Sequence, residues 1–252
     1  MACCSSLVAE DKPDSDQIVS LAHKFSANQI VRYKVVQHIT GSRTFPGSDE
    51  PTPINAELKS VIRMRCDEIA ADGTATVSIE IESGTLKIGK RQTSAFSAGS
   101  PPRKLQVTSS GKVIFPPQEQ QVGDSSPDGS GLMDAGSIEP LIILANLPEQ
   151  PMAVGGSWSA NVVLPSQAAV KVASTLMEVK QVTSDRGAVI AQNQTTLADS
   201  ASPNRQEAQS KLIFGINTGA LLWAEGSIHF QRTAPDSWAL DSKYTVEMLK
   251  PS

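Results

Sequence analysis

From Ile30 to Met248, apolar and polar residues alternate with a period of two, the spacing of strands that bury one face and wet the other. Val31, Tyr33, Val35 and Ile39 share one face of a first long strand, with Arg32, Lys34 and His38 opposite. Leu58, Ile62, Met64 and Cys66 then oppose Glu57, Lys59, Arg63 and Arg65, while Val77, Ile79 and Ile81 oppose Thr76, Ser78, Glu80 and Glu82. Such one-sided burial belongs to antiparallel sheets. The second half predicts longer strands over 170–182, 188–197, 208–216 and 220–232, and a last one with Trp238, Leu240, Tyr244, Val246 and Met248 on one face. Lengths of ten residues or more exceed the usual strand and predict strong curvature.

Glycine-bearing reversals link these segments into a meander: Asp72-Gly73, Ser110-Gly111, Asp185-Arg186-Gly187 and Asn217-Thr218-Gly219. The segment 16–25 fits a helix, but Leu21 to Phe25 followed by Asn28 also suits a short strand and turn, which is the preferred reading. Residues 98–103 read as a loop, and 118–136 as a longer, mobile or functional one. One helix is expected from Ile138 to Leu147, capped by Ser137, with Ile138, Leu141, Ile142 and Ala145 on one apolar face and Pro148 ending it. The fold class is therefore mainly β: a curved antiparallel sheet, a half-barrel or open barrel-like meander, with one short helix packed on its concave face. The organisation expected is a disordered tether over 1–16 and a single β-rich domain over 17–252.

Composition narrows the function classes. The 252 residues are 39% hydrophobic and 19% charged, too apolar for a disordered chain. A net charge of −4 without a basic stripe argues against a nucleic-acid partner, since Arg63, Arg65, Lys87, Lys90 and Arg91 suit wet strand faces. No stretch approaches the roughly 18 apolar residues of a membrane-spanning helix. Cys3 and Cys4 are adjacent and Cys66 lies far off, which is no zinc spacing; Cys66 reads as a core residue. Ala2-Cys3 followed by a polar stretch resembles the end of a bacterial lipoprotein signal, with Cys3 the lipidated residue; an incidental cysteine pair is the other reading.

No catalytic or cofactor site is legible. A Gly-x-Ser-x-Gly elbow is absent, and His23, His38 and His229 fall on polar strand positions, where solvated imidazoles are expected. Asp124, Asp128 and Asp134 lack the spacing of a calcium loop. Glu80 and Glu82 share a strand face where like charges raise one another's pKa, but a wet face accounts for them. Asn193-Gln194-Thr195 matters as a sequon only in a glycosylating host. Trp158, Trp223 and Trp238 read foremost as packing anchors.

In order along the chain come Lys24-Phe25, Arg32-Tyr33-Lys34, Asp72-Gly73-Thr74-Ala75, Ser110-Gly111-Lys112-Val113, Leu147-Pro148, Pro151, Val154-Gly155, Ser157-Trp158, Phe214 and Asn217-Thr218-Gly219-Ala220-Leu221. This series resembles an uncharacterised family of bacterial, planctomycete-type secreted proteins and lipoproteins. The sequence departs from the family at Gly155-Gly156, where an acidic residue usually precedes Ser-Trp. The family is similar in outline to the half-barrel folds of lipoprotein carriers, which implies an apolar ligand and a location in the cell envelope, periplasmic or secreted; a genuine start at Met1 implies the cytoplasm instead. The expectation is a non-catalytic envelope domain, without cofactor or metal, that holds a lipid or apolar small molecule on Ile138, Leu141, Ile142 and Trp158. The alternative is a structural or protein-interaction module of the envelope with no small-molecule ligand.

Overall fold

The structure is a computed structural model and describes residues 17–48, 50–97, 102–114, 146–163, 169–197, 204–233 and 237–250. Among these residues every regular element is a strand. In chain order they are β1 (Ile18–Val19), β2 (Ile30–Thr44), β3 (Thr52–Ile69), β4 (Ala75–Ile88), β5 (Arg91–Ser97), β6 (Arg103–Val107), β7 (Val113–Ile114), β8 (Met152–Ala153), β9 (Ser157–Val163), β10 (Ala169–Val182), β11 (Asp185–Thr196), β12 (Asn204–Gly215), β13 (Ala220–Arg232) and β14 (Ser237–Leu249). The helix expected over 138–147 lies outside the described residues except for Asn146 and Leu147, which are buried and not helical. The tether over 1–16 and the loop over 118–136 also lie outside them. No described segment is a helix long and apolar enough to cross a membrane.

All strand pairings are antiparallel. A twelve-stranded sheet runs in the order β7-β6-β4-β3-β2-β14-β13-β12-β11-β10-β9, with β5 beside β4. Two meanders are thus joined where the first long strand, β2, pairs with the last, β14, from Arg32↔Leu249 to Thr44↔Ser237. The sheet curls until it is nearly a closed barrel, but its edge strands β7 and β9 are not bonded to each other, and a seam remains. Curling follows from strands of 12 to 18 residues, each twisting right-handedly, and from register shifts at Val61/Ile62, Cys66/Glu68, Leu176/Glu178 and Ile213/Phe214.

At one end the seam is laced by two short segments. β1 pairs with β8 (Ile18↔Ala153, Val19↔Met152), the His23 amide donates to the Ser109 carbonyl at 2.7 Å, and the Leu147 amide to the Ser110 carbonyl at 2.8 Å. Val19, Leu21 and Leu147 bury their side chains there. The alternation expected from sequence is the alternation found: Tyr33, Val35 and Ile39 face inward, as do Ile62, Cys66, Val77 and Ile79, and Trp238, Leu240, Tyr244 and Val246. One reversal differs. The turn expected at Asp185-Arg186-Gly187 sits at Thr183-Ser184, and Asp185 opens β11 because its carboxylate is taken by another turn. It accepts from the Asn217 and Thr218 amides at 2.9 and 3.0 Å and from the Thr218 hydroxyl at 2.8 Å.

Candidate functional site

The inner face is organised in rows that run across the strands in register. One row reads Val35, Val246, Ala224, Leu212, Ile190, Leu176 from β2 to β10, and each of these residues is at most 1% exposed. The next row reads Leu58, Gln37, Tyr244, Gly226, Ser210, Gln192, Ser174, Trp158, from β3 to β9 at the seam. Beyond it lie Ile39, Ser242, Ile228, Ala208, Gln194 and Val172. A polar row therefore crosses a largely apolar face, and Ser242 and Gln194 extend it into the next row. On its far side, Ile39, Ala56, Phe230, Trp238 and Leu240 form a second, smaller apolar cluster.

These polar side chains satisfy one another only in part. Gln37 Nε2 donates to Ser242 Oγ at 2.8 Å, Gln192 Nε2 to Ser174 Oγ at 3.3 Å, and Gln194 Nε2 to Gln192 Oε1 at 3.2 Å. Gln37 Oε1, Ser210 Oγ and Tyr244 Oη are buried without a well-formed hydrogen bond. Tyr244 lies flat against Gly226: a Cβ at that glycine would sit 2.7 Å from Oη and 2.4 Å from the Gln209 carbonyl oxygen. Its hydroxyl thus faces Ser210 on the strand beyond, and burial, offset in part by Ser210, pushes its pKa up to about 12. No member of the three rows is charged.

Of the residues singled out in the sequence, Trp158 belongs to this face. It ends the polar row on the edge strand β9, half-buried, with its indole N–H donating to the Asn146 carbonyl oxygen. Ile138, Leu141, Ile142 and Cys3 lie outside the described residues, as do Asp124, Asp128 and Asp134. Sequence reasoning misses Gln37, Ser174, Gln192, Ser210 and Tyr244 as a group. Gln37, Ser174 and Ser210 each stand at an inward position between apolar neighbours, and that break of parity in mid-strand is the available signal; Gln192 and Tyr244 have Gln194 and Ser242 on one side.

The histidines part company. His38 and His229 are exposed, beside Glu57 at 3.6 Å and Asp241 at 2.8 Å. His23 corrects the expectation of a solvated strand position: it lies off any strand and is part-buried, with Nε2 shut off from solvent, because the crossing segment carries it under the barrel end. Its ring stacks on Phe25 at 5.5 Å and meets the edge of Phe214 at 5.2 Å. Nδ1–H donates to the Gly219 carbonyl at 3.2 Å, Nε2 has no partner, and burial pushes the pKa down to about 4 against the opposing pull of that bond. Among the described residues no three metal-ligating side chains gather. Glu80 and Glu82 are spent on ion pairs with Arg63 and Arg32, the latter through one Nε–H shared between both Glu82 carboxylate oxygens at 2.9 Å. On the outer face of β2 and β11–β14 an open groove of about 650 Å³ runs over Ser227 and Thr245 between His38, Lys211, Glu225 and Lys243.

No family model and no curated protein matches the chain. Among solved structures, one that describes lipid–protein interactions in lipovitellin superposes with a TM-score of 0.53 at 9% identity, covering 91% of this chain. The two share a fold. The chain spans 26% of that lipovitellin chain, so the likeness concerns one region of a much larger protein. A lipoprotein-sorting protein domain from Vibrio parahaemolyticus (TM-score 0.21, 9% identity, 88% of this chain and 86% of that one) and a LolA-superfamily protein from Nitrosomonas europaea (0.16, 10%, 91% and 90%) superpose far less well. The fold comparison rests on lipovitellin.

Proposed function

We propose that the chain is a non-catalytic domain of the bacterial cell envelope that binds a lipid or other apolar ligand against the inner face of its sheet. The observation that carries this reading is the unbroken apolar row from Val35 to Leu176, spread over six strands of a barrel whose seam stays unbonded. Each residue of that row is at most 1% exposed as the sheet stands, so in this reading a ligand enters only when the unbonded seam parts. The lipid–protein interactions described for lipovitellin agree with this chemistry. The envelope location rests on the Ala2-Cys3 reading and the family resemblance. Trp158, at the seam edge, is the inner-face residue placed to meet a ligand first.

Native mass spectrometry of the purified protein, mixed with a bacterial lipid extract, tests the reading. A one-to-one adduct of lipid mass is expected, and no adduct with any lipid class would falsify it. The second reading, a protein-interaction module, is favoured by the outer groove, which presents Lys211 and Lys243 beside Glu225. A pull-down from envelope extract that loses its partner in a Lys211→Glu, Lys243→Glu variant, with no lipid adduct seen, supports that reading instead.

A further inference from the structure

Residues 18–25 cross the end of the barrel as a strap that touches both sides of the seam. On one side they pair with β8, Ile18 opposite Ala153 and Val19 opposite Met152. On the other, the His23 amide donates to the Ser109 carbonyl at 2.7 Å in the turn between β6 and β7. A third hold is the turn between β12 and β13, where the Gly219 carbonyl accepts from the Lys24 amide at 3.4 Å and from His23 Nδ1–H at 3.2 Å. Besides these bonds the strap has the buried side chains of Val19 and Leu21. The barrel, by contrast, is joined by continuous ladders such as the one from Asn204↔Arg232 to Gly215↔Ala220. A segment held at so few points can open while the sheet behind it stays folded.

The charge of His23 decides whether the strap stays down. With its proton on Nδ1, the ring leaves Nε2 shut off from solvent and without a partner, an arrangement that suits a neutral imidazole. Of the other groups lining the pocket at the ring, only Lys24 and Tyr33 titrate; the first is itself a cation, and burial keeps the second a neutral phenol. The charged residues of the strands packed there, Arg32 on β2, Arg63, Arg65 and Asp67 on β3 and Lys104 on β6, stand on the opposite face. Asp185, at the Gly219 turn, is taken by Asn217 and Thr218. Among the described residues no carboxylate therefore offsets an imidazolium in this place, and an enclosed, uncompensated charge is costly. We propose that residues 18–25 form a pH-released strap, in which protonation of His23 frees the segment from Ser109, Gly219 and β8 and opens the barrel end while the long-stranded sheet stays intact. The seam it spans is the one that parts for a ligand in the reading above, but its release does not depend on that reading.

Hydrogen exchange of the full chain, followed by NMR at pH 7.5 and pH 4.5 and corrected for the intrinsic rate at each, tests this. A released His23 takes up a proton at its ordinary value, so protection of the His23 and Lys24 amides is expected to fall on the order of fiftyfold between the two pH values. At both it should lie at least about tenfold below that of the most protected amides of β12 and β13. His23→Gln, which carries no charge at either pH, should abolish the pH dependence of the strap amides; His23→Leu is the second variant if the first does not fold. Equal protection of strap and barrel amides would mean that His23 is freed only by global unfolding, and it overturns the proposal. So does strap protection that is indifferent to pH in the native protein, or a fall that persists in the variants.

Discussion

His23 is neutral in the fold, and what keeps it so has a measurable pH signature. Its ordinary pKa of 6.5 falls to about 4 on folding, chiefly through burial. The unfolded chain therefore binds more protons between these values, so stability is complete above about pH 6.5 and drains away as the pH falls toward 4. The full loss is on the order of 3 kcal/mol at 1.36 kcal/mol per pKa unit. Urea unfolding at pH 7 and pH 4.5 should show a marked drop in the native protein and a much smaller one in a His23→Gln variant; parallel curves would count against this assignment. The partner position is equally constrained. Gly219 has φ +65°, and a Cβ there would lie 2.3 Å from the Lys24 amide nitrogen, so the turn that accepts from His23 has no room for a side chain. Sequence pattern hides this pair: Leu21 to Phe25 has the apolar content of a strand, and only the tertiary crossing shows that its histidine is enclosed.

At the level of elements, the hairpin joining β12 to β13 is held by a residue from β11. Asp185 bonds to Asn217, Thr218 and the Arg186 amide, and these bonds lower its pKa although burial opposes them. Asp185→Ala strands several buried donors at once, and a loss of about 2–3 kcal/mol is expected in chemical denaturation. Because the folded pKa is depressed, this contribution holds above the usual carboxylate value and is lost only as the pH falls through the lowered one, in a more acid range than the His23 effect. The strands themselves are legible: period-two alternation locates the long strands, and glycine marks the turns at Asp72-Gly73, Ser110-Gly111 and Asn217-Gly219. The Asp-Arg-Gly sequence misleads because its aspartate serves a turn remote in sequence. The polar row is not legible as a row. Parity assigns a side chain to a face, but neighbours across strands depend on register, which shifts at Leu176/Glu178 and Ile213/Phe214 without a sequence mark.

For the molecule as a whole, the seam is the feature that separates a ligand carrier from a filled barrel. Ile18 and Ala153 are register partners in the lacing pair β1 and β8, at a Cα separation that suits a disulfide in antiparallel pairs. With Cys3 and Cys4 replaced by serine, Ile18→Cys with Ala153→Cys should cross-link on oxidation, while Cys66, buried with its thiol pKa raised, stays unreactive. Lipid uptake is expected to slow at least about tenfold when oxidised and recover on reduction, which stopped-flow mixing would detect; an unchanged rate would locate the entrance elsewhere. The union of β2 with β14 carries a consequence for synthesis. Ile30 to Thr44 leaves the ribosome some two hundred residues ahead of the strand that must lie beside it, so the nascent chain waits with two separate half-sheets. A ribosome halted short of Ser237 should hold a product that proteases cut readily, and resistance should arrive abruptly with the last strand.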